Sequence, residues 1–386
     1  MSRGDKIVLA GYLVRCPLGG YAWQALHYLI GLRALGFDPY FYEDTAYYGD
    51  CFDPSTGNMH VRPDAGIVLM AEFFRRFGFG DRWVFWEADQ DRHHGLTRGE
   101  TMALLNDARA LITLAAVNRL PRRTRQPRIF IDIDPTFTQI RVAAGDQALC
   151  ELLEEHDLHF TIGENIGMPG CSIPADRFAW RPTRQPIAVE LWTPVPATAQ
   201  AAWTTIGRWD ERRRDLHFQG QAYSWSKRVE WMKFLELPRE SGESFVLAMD
   251  VDKSPSDADL LRRHGWAITD PVAVSRDAFD YRDFIRRSKG EFTVAKDLNV
   301  RLASGWFSDR SACYLAAGRP VVTQDTGFGR VLPTGKGLYA VRTLEDAVRA
   351  TRSIAAEYEV NAQAARQIAE QHFDARRVVA ELMTHL

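Results

Sequence analysis

The stretch from Lys6 to Asp44 constrains the fold more than any other part of the chain. KIVLAGYLV (6–14) is apolar and rich in strand-forming residues, and the loop RCPLGGY follows it. AWQALHYLIGLRALG then places Trp23, Leu26, Leu29, Ile30, Leu32 and Leu35 close to helical spacing, with Gly36 as the stop. FDPYFYED reads as a second strand. Strand, glycine loop, helix, glycine stop and strand make a βαβ unit. Such units imply a parallel sheet, because parallel neighbours need a crossover to bring the chain back.

The pattern recurs. RIFIDID (128–134) reads as a buried strand ending in acidic residues, and DQALCELLEEHDLHFTIGENIG as a helix, a short strand FTIG and a loop. Residues 166–200 are rich in Pro and Gly and lack a period, which fits an interdomain region or an elaborated active-site loop. From about 203 the alternation restarts. WTTIGRW is a strand, KRVEWMKFLEL a helix, SFVLAMDV a strand, SDADLLRRHGW and YRDFIRRS helices, GEFTVAK a strand, DRSACYLAAG a helix and PVVTQ a strand, ahead of terminal helices.

A chain of 386 residues exceeds what one core usually accommodates. The expected class is α/β, with two Rossmann-like domains facing each other across a cleft. The expected boundaries are 1–200 for the first domain, 201–365 for the second, and 366–386 for a C-terminal helix packing back on the first. Ligands of such sheets sit outside the carboxyl ends of the strands, so those loops carry the search for chemistry.

Charge and cysteine usage exclude several partners. The formal net charge of -2 gives no global electrostatic case for nucleic acid or an anionic membrane. PRRTRQPR (121–128) and RRHGW (262–266) read as solvated surface turns. No apolar run is long enough for a transmembrane helix. The five cysteines are scattered without a CxxC pair, which argues against a disulfide framework or a structural zinc site and suits a cytoplasmic setting.

Two loop systems stand out. Pro17-Leu18-Gly19-Gly20 lies at the end of the first strand and ahead of a helix, so Gly19 and Gly20 allow close backbone approach beside free helix N–H groups. It is not GxGxxG, which weighs against a dehydrogenase. The stronger signal is SGWFSDRSACYLAAGRPVVTQDTG (304–327). Ser308 or Asp309 can cap its helix, Arg310 and Ser311 sit where a diphosphate would be held, and Asp325 with Gly327 returns to the same rim to meet sugar hydroxyls.

These segments resemble the GT-B-fold glycosyltransferases. The PLGG loop with LRALGFDPYF, and above all LAAGRPVVTQDTG, are similar to that family's glycine loop and donor-sugar segment. GQAYSWSKRVEW (220–231) resembles the segment whose Lys or Arg reaches the donor diphosphate, which makes Lys227 the candidate. The chain also looks like a bacterial group carrying PLGG, ENIG and SGWFSDRS patterns. Gly305 and Cys313 stand where many retaining members carry two glutamates, and Gly305 also stands where inverting members often carry a histidine. Ser311 falls where inverting members place a hydroxyl on phosphate.

The resemblance implies sugar transfer from a nucleotide-diphosphate donor to an unknown acceptor, with that donor as co-substrate and neither cofactor nor metal. Lys296, at the end of GEFTVAK, is then placed to neutralise the leaving diphosphate. Asp134 and Glu164, each just past a strand end, are the candidate bases for the acceptor hydroxyl; His159 and the pair at 93–94 are lesser ones. Trp23, Trp192, Trp225 and Trp306 could stack on a sugar face. A nucleotide-sugar epimerase on the same fold, or a non-catalytic nucleotide-sugar-binding protein, are the alternatives.

Overall fold

The computed structural model describes residues 5–60, 62–120, 125–196, 201–211 and 214–386. Residues 121–124 of the first basic turn lie outside them. Two sheets organise the chain. The first has eight strands in the order Trp180–Pro182, Leu158–Thr161, Arg128–Asp132, Ala110–Leu114, Lys6–Ala10, Asp38–Asp44, Trp83–Glu87 and Arg92–Gly95. Neighbours run parallel except the last pair. The second has six strands, all parallel, in the order Trp266–Thr269, Phe245–Met249, Trp203–Gly207, Gly290–Thr293, Val321–Gln324 and Leu338–Val341.

Burial on both faces explains why these strands read as unbroken apolar runs rather than alternating ones. Every residue of Ala110–Leu114, Arg128–Asp132 and Val321–Gln324 is buried. Each sheet also reverses its direction of winding once. In the first, Lys6–Ala10 lies between Asp38–Asp44 and Ala110–Leu114; in the second, Trp203–Gly207 lies between Phe245–Met249 and Gly290–Thr293. At such a reversal the loops leaving adjacent strands turn to opposite faces and leave a crevice.

The chain crosses between the sheets twice, and the crossings are bonded to each other. Ile187 N–H donates to Phe373 O at 2.6 Å, and Ala375 N–H donates to Ile187 O at 2.9 Å. The last helix, Ala375–Met383, then lies along the first, Gly19–Ala34. Gly31 makes that approach possible: a Cβ there would stand 2.7 Å from Ala375 O and 2.8 Å from Val379 Cγ2.

Some elements differ from the sequence reading. KRVEWMKFLEL is two short helices, Arg228–Met232 and Leu237–Ser241, because Pro238 opens a new first turn. SDADLLRRHGW ends its helix at Arg263, and Trp266 begins a strand after the left-handed Gly265. Residues 166–196 contain no long helix; they add the edge strand Trp180–Pro182 and one turn, Val189–Leu191. No helix among the described residues is long and apolar enough to cross a membrane.

Candidate functional site

The crevice at the second sheet's reversal is bounded by the two chain segments that leave Gly207 and Thr293. Arg208 comes first on one side, with its side chain 60% exposed. Lys296 comes on the other, at the start of the helix Asp297–Arg301. Lys227, half-buried, completes the group from the start of Arg228–Met232. Lys296 Nζ rests 2.9 Å from the centre of the Trp225 ring and Lys227 Nζ 5.5 Å from that of Trp306, both cation–π contacts. The Arg214 guanidinium also lies over Trp225, 5.4 Å from the ring centre.

Anionic partners are few here. Arg208 reaches Glu211 at 3.5 Å, and Lys296 reaches Asp134 at 3.6 Å. Among the described residues, no ion pair or hydrogen bond to Lys227 Nζ is present. Burial, then the positive charges of Arg310 and Lys296, hold the Lys227 ammonium down to about 7. Lys296 is lowered too, chiefly by burial, against the pull of Asp134. A lysine so crowded by cations is stabilised by any anion that enters.

The first domain supplies the facing wall. Glu43, wholly buried, accepts from the N–H groups of Leu13, Val14 and Arg15 at 2.7, 2.7 and 3.0 Å and from Arg15 Nε at 2.8 Å. Arg15 is also bound to Asn118 Oδ1 and Tyr48 O. This network fixes the loop that presents Tyr12 and Cys16. Tyr21, in the first turn of Gly19–Ala34, keeps 37% of its surface open and packs edge-on against Tyr12 at 5.3 Å. Burial among the crevice walls, then Cys16, Tyr12 and Asp134, push its phenol well above the usual range, against Arg208. Asp134, 44% exposed, projects from just beyond Arg128–Asp132 and so meets Lys296 across the domains.

The structure redistributes the residues expected in 304–327. Ser308 is the N-cap of Asp309–Ala316 but makes no side-chain cap bond; Asp309 Oδ1 instead accepts from Arg310 N–H at 2.8 Å. Burial raises the Asp309 carboxyl, against that bond. Arg310 is held by the protein through all three of its guanidinium nitrogens: Nε binds Glu291 at 2.5 Å, Nη1 binds Ile206 O at 2.5 Å and Nη2 binds Thr293 Oγ1 at 3.0 Å. It props the strand ends from beneath, because helix Asp309–Ala316 directs it inward over the sheet. Ser311 Oγ is buried and without a partner.

Asp325 accepts from Gly327 N–H at 2.8 Å and pairs with Arg342 at 2.8 Å. Gly327 is left-handed, φ +85°, and packs against the Asn165 amide. Packing requires a glycine at 19, since a Cβ there would fall 2.4 Å from Tyr281 Cβ; at Gly20 the nearest atom is Tyr281 Oη at 3.7 Å.

Glu164 is not a free base. Arg184 grips both of its oxygens, at 3.0 and 2.6 Å, and burial raises the carboxyl against that pair. His159 Nε2 is bound to Leu153 O, and His94 to Glu87 on the sheet's far edge, so neither histidine reaches the crevice. Trp23 and Trp192 pack on each other in the core, ring centres 5.2 Å apart. Of the expected residues, the crevice therefore unites Lys227, Lys296 and Asp134, with Trp225 and Trp306. It adds Arg208, Glu211, Tyr12, Cys16 and Tyr21, which the sequence reading passed over. The signal for Arg208 was present in WTTIGRW, as the first side chain after a strand whose end is Gly207.

No protein-family description matches the sequence, and no curated protein matches it. Solved structures do. An alpha-glucosyltransferase in complex with UDP superposes with a TM-score of 0.60 at 10% identity, over 99% of each chain. An alpha-glucosyltransferase holding UDP and a 13-mer DNA gives 0.59 at 10% identity, again over 99% of each. Anabaena Alr3699/HepE in complex with UDP-glucose gives 0.57 at 10% identity, over 99% of this chain and 100% of that one. At this identity the likeness establishes the fold: two Rossmann-like sheets opposed across a cleft, as in the GT-B proteins.

Proposed function

We propose that this chain is a glycosyltransferase that moves a sugar from a nucleotide-diphosphate donor to an acceptor bound by the first domain. One observation carries the reading. Arg208, Lys227 and Lys296 converge at the reversal of the second sheet, the place where such sheets bind ligands, with too few carboxylates to balance them. A diphosphate supplies the missing charge. The fold neighbours that hold UDP and UDP-glucose support this assignment.

In this reading the three cations receive the diphosphate as it leaves, so the proposal includes transfer without a metal. Trp306, beside Lys227, offers a flat apolar face to the base or the sugar. Asp134 stands across from Lys296 and is the carboxylate placed to take the acceptor's proton. Closure of the first domain over the donor keeps water from the anomeric carbon.

The test is a thermal-shift and calorimetric screen of the purified protein with UDP, GDP, TDP, CDP and ADP and their sugar conjugates. A ligand bound by the folded state raises the midpoint. Stabilisation by one nucleoside diphosphate and its sugars, lost in Lys227→Ala and Lys296→Ala, is the expected result. Release of nucleotide from the sugar conjugate should then persist in EDTA. Absence of any stabilisation at concentrations of about a millimolar would remove the donor assignment.

A further inference from the structure

The ENIG motif at 164–167 is not part of the cation group, yet its second residue is buried and bonded at the domain junction. Asn165 is 2% exposed. Its Nδ2 donates to Ala303 O at 2.9 Å and to Gly327 O at 3.1 Å, and its backbone N–H donates to Ser304 O at 3.0 Å. The acceptors belong to separate loops, one after Asp297–Arg301 and one after Val321–Gln324.

Those loops are tied to each other around the same side chain. Gly305 N–H donates to Thr326 O at 2.7 Å, and Thr326 Oγ1 donates to Trp306 O at 2.6 Å. Gly163 and Trp306 add an antiparallel bridge from the neighbouring residues. The glycines on either side of Asn165 are both left-handed, at φ +78° for Gly305 and +85° for Gly327. A Cβ at Gly305 would lie 2.8 Å from Asn165 N, and one at Gly327 would lie 2.6 Å from Asn165 Nδ2. Two left-handed glycines, in a conformation that a residue with a Cβ adopts only under strain, thus make room for one amide from the other domain. Only an amide fits chemically: it brings two N–H donors to two carbonyl acceptors, where an aspartate would bring a carboxylate.

We infer that Asn165 is a positioning residue for sugar transfer, fastening the first domain to the two second-domain loops that carry Trp306 and Asp325. The inference rests on the donor reading of the crevice, although the fastening itself does not. The bonds that Asn165 makes involve none of Arg208, Lys227 and Lys296, so nucleotide capture and this role separate experimentally.

The experiment compares wild type with Asn165→Asp, using UDP and UDP-glucose as probes. Hydrogen–deuterium exchange is followed without ligand in peptides covering 303–307 and 325–328, with the strand Val321–Gln324 as internal reference. Exchange should rise in both loops and not in the strand, since only the loops lose their cross-domain bonds. The UDP dissociation constant should stay within about twofold, while kcat for UDP release from UDP-glucose falls by about tenfold or more. Unchanged loop exchange overturns the inference, and so does faster exchange with kcat intact. Asn165→Ala, which removes the donor without adding charge, repeats the measurement if the aspartate variant does not fold. Failure of wild type to bind any of the five nucleoside diphosphates would count against the donor reading, while the exchange comparison, which needs no ligand, would still decide whether Asn165 fastens the loops.

Discussion

Arg310 and Glu291 form a buried ion pair under the floor of the crevice, Nε to Oε1 at 2.5 Å, with the glutamate side chain wholly inaccessible. Thr205 Oγ1 also donates to Oε1, at 3.3 Å, while Oε2 has no partner. The pair joins the start of a helix to the middle of the second sheet, and through Ile206 O it fixes the backbone that presents Arg208.

Removing one member of such a pair strands the other in a low-dielectric site. Arg310→Met and Glu291→Leu should each lower the unfolding free energy by about 3–5 kcal/mol, and the double variant by less than either single one. Urea denaturation of the three proteins reads this directly. Arg310→Lys, which keeps a charge but not the three-way grip, should weaken nucleoside-diphosphate binding less than Lys227→Ala does.

Lys227 gives the crevice a pH dependence of definite sign. Its free ammonium loses its proton near pH 7, and a bound diphosphate raises that value. The lysine's contribution is therefore full below the free value and is lost as pH rises through the bound one. Titration calorimetry with the nucleoside diphosphate that the screen selects should show proton uptake on binding near pH 7 to 8 and weaker affinity toward pH 9. In Lys227→Arg, which stays charged throughout, the slope should flatten.

Asp134 separates binding from chemistry. Asp134→Asn should leave nucleoside-diphosphate affinity equal or slightly tighter, because the variant removes a negative charge 3.6 Å from Lys296. Transfer to an acceptor should fall by about a hundredfold or more if the carboxylate takes the proton. Steady-state kinetics would show the loss in kcat, with the donor KM little changed.

The adjacent glycines predict opposite outcomes. Gly19→Ala drives a methyl group to within 2.4 Å of Tyr281 Cβ and should cost about 1–3 kcal/mol. Gly20→Ala has its nearest atom at 3.7 Å inside a helix and should be neutral or stabilising by up to about 1 kcal/mol. Thermal midpoints of the two variants decide it.

Legibility followed periodicity. Lys6–Ala10, Arg128–Asp132 and Val321–Gln324 were readable because burial on both faces makes a strand continuous in apolar residues. Arg92–Gly95 (RHHG) carries no such signal, since an antiparallel edge strand takes its place from its partner's backbone. Of the crevice cations, Lys296 could be named because strand ends in a parallel sheet are where ligands sit, and Lys227 because its segment resembles the one that reaches the donor diphosphate. Arg310 could not be judged, because whether an arginine faces solvent or Glu291 depends on a partner 19 residues away. The same holds for Gly305 and Gly327, whose shared neighbour Asn165 is supplied by the other domain.

The seating of Ala375–Met383 on Gly19–Ala34 makes synthesis order matter. Gly31 leaves the ribosome about 350 residues before its neighbour Val379, a delay on the order of half a minute at ordinary elongation rates. Throughout that interval the nascent first domain exposes the groove that Val379 and Leu382 will fill. Until Val379 follows, the apolar side chains of the first helix that it covers stand open to water.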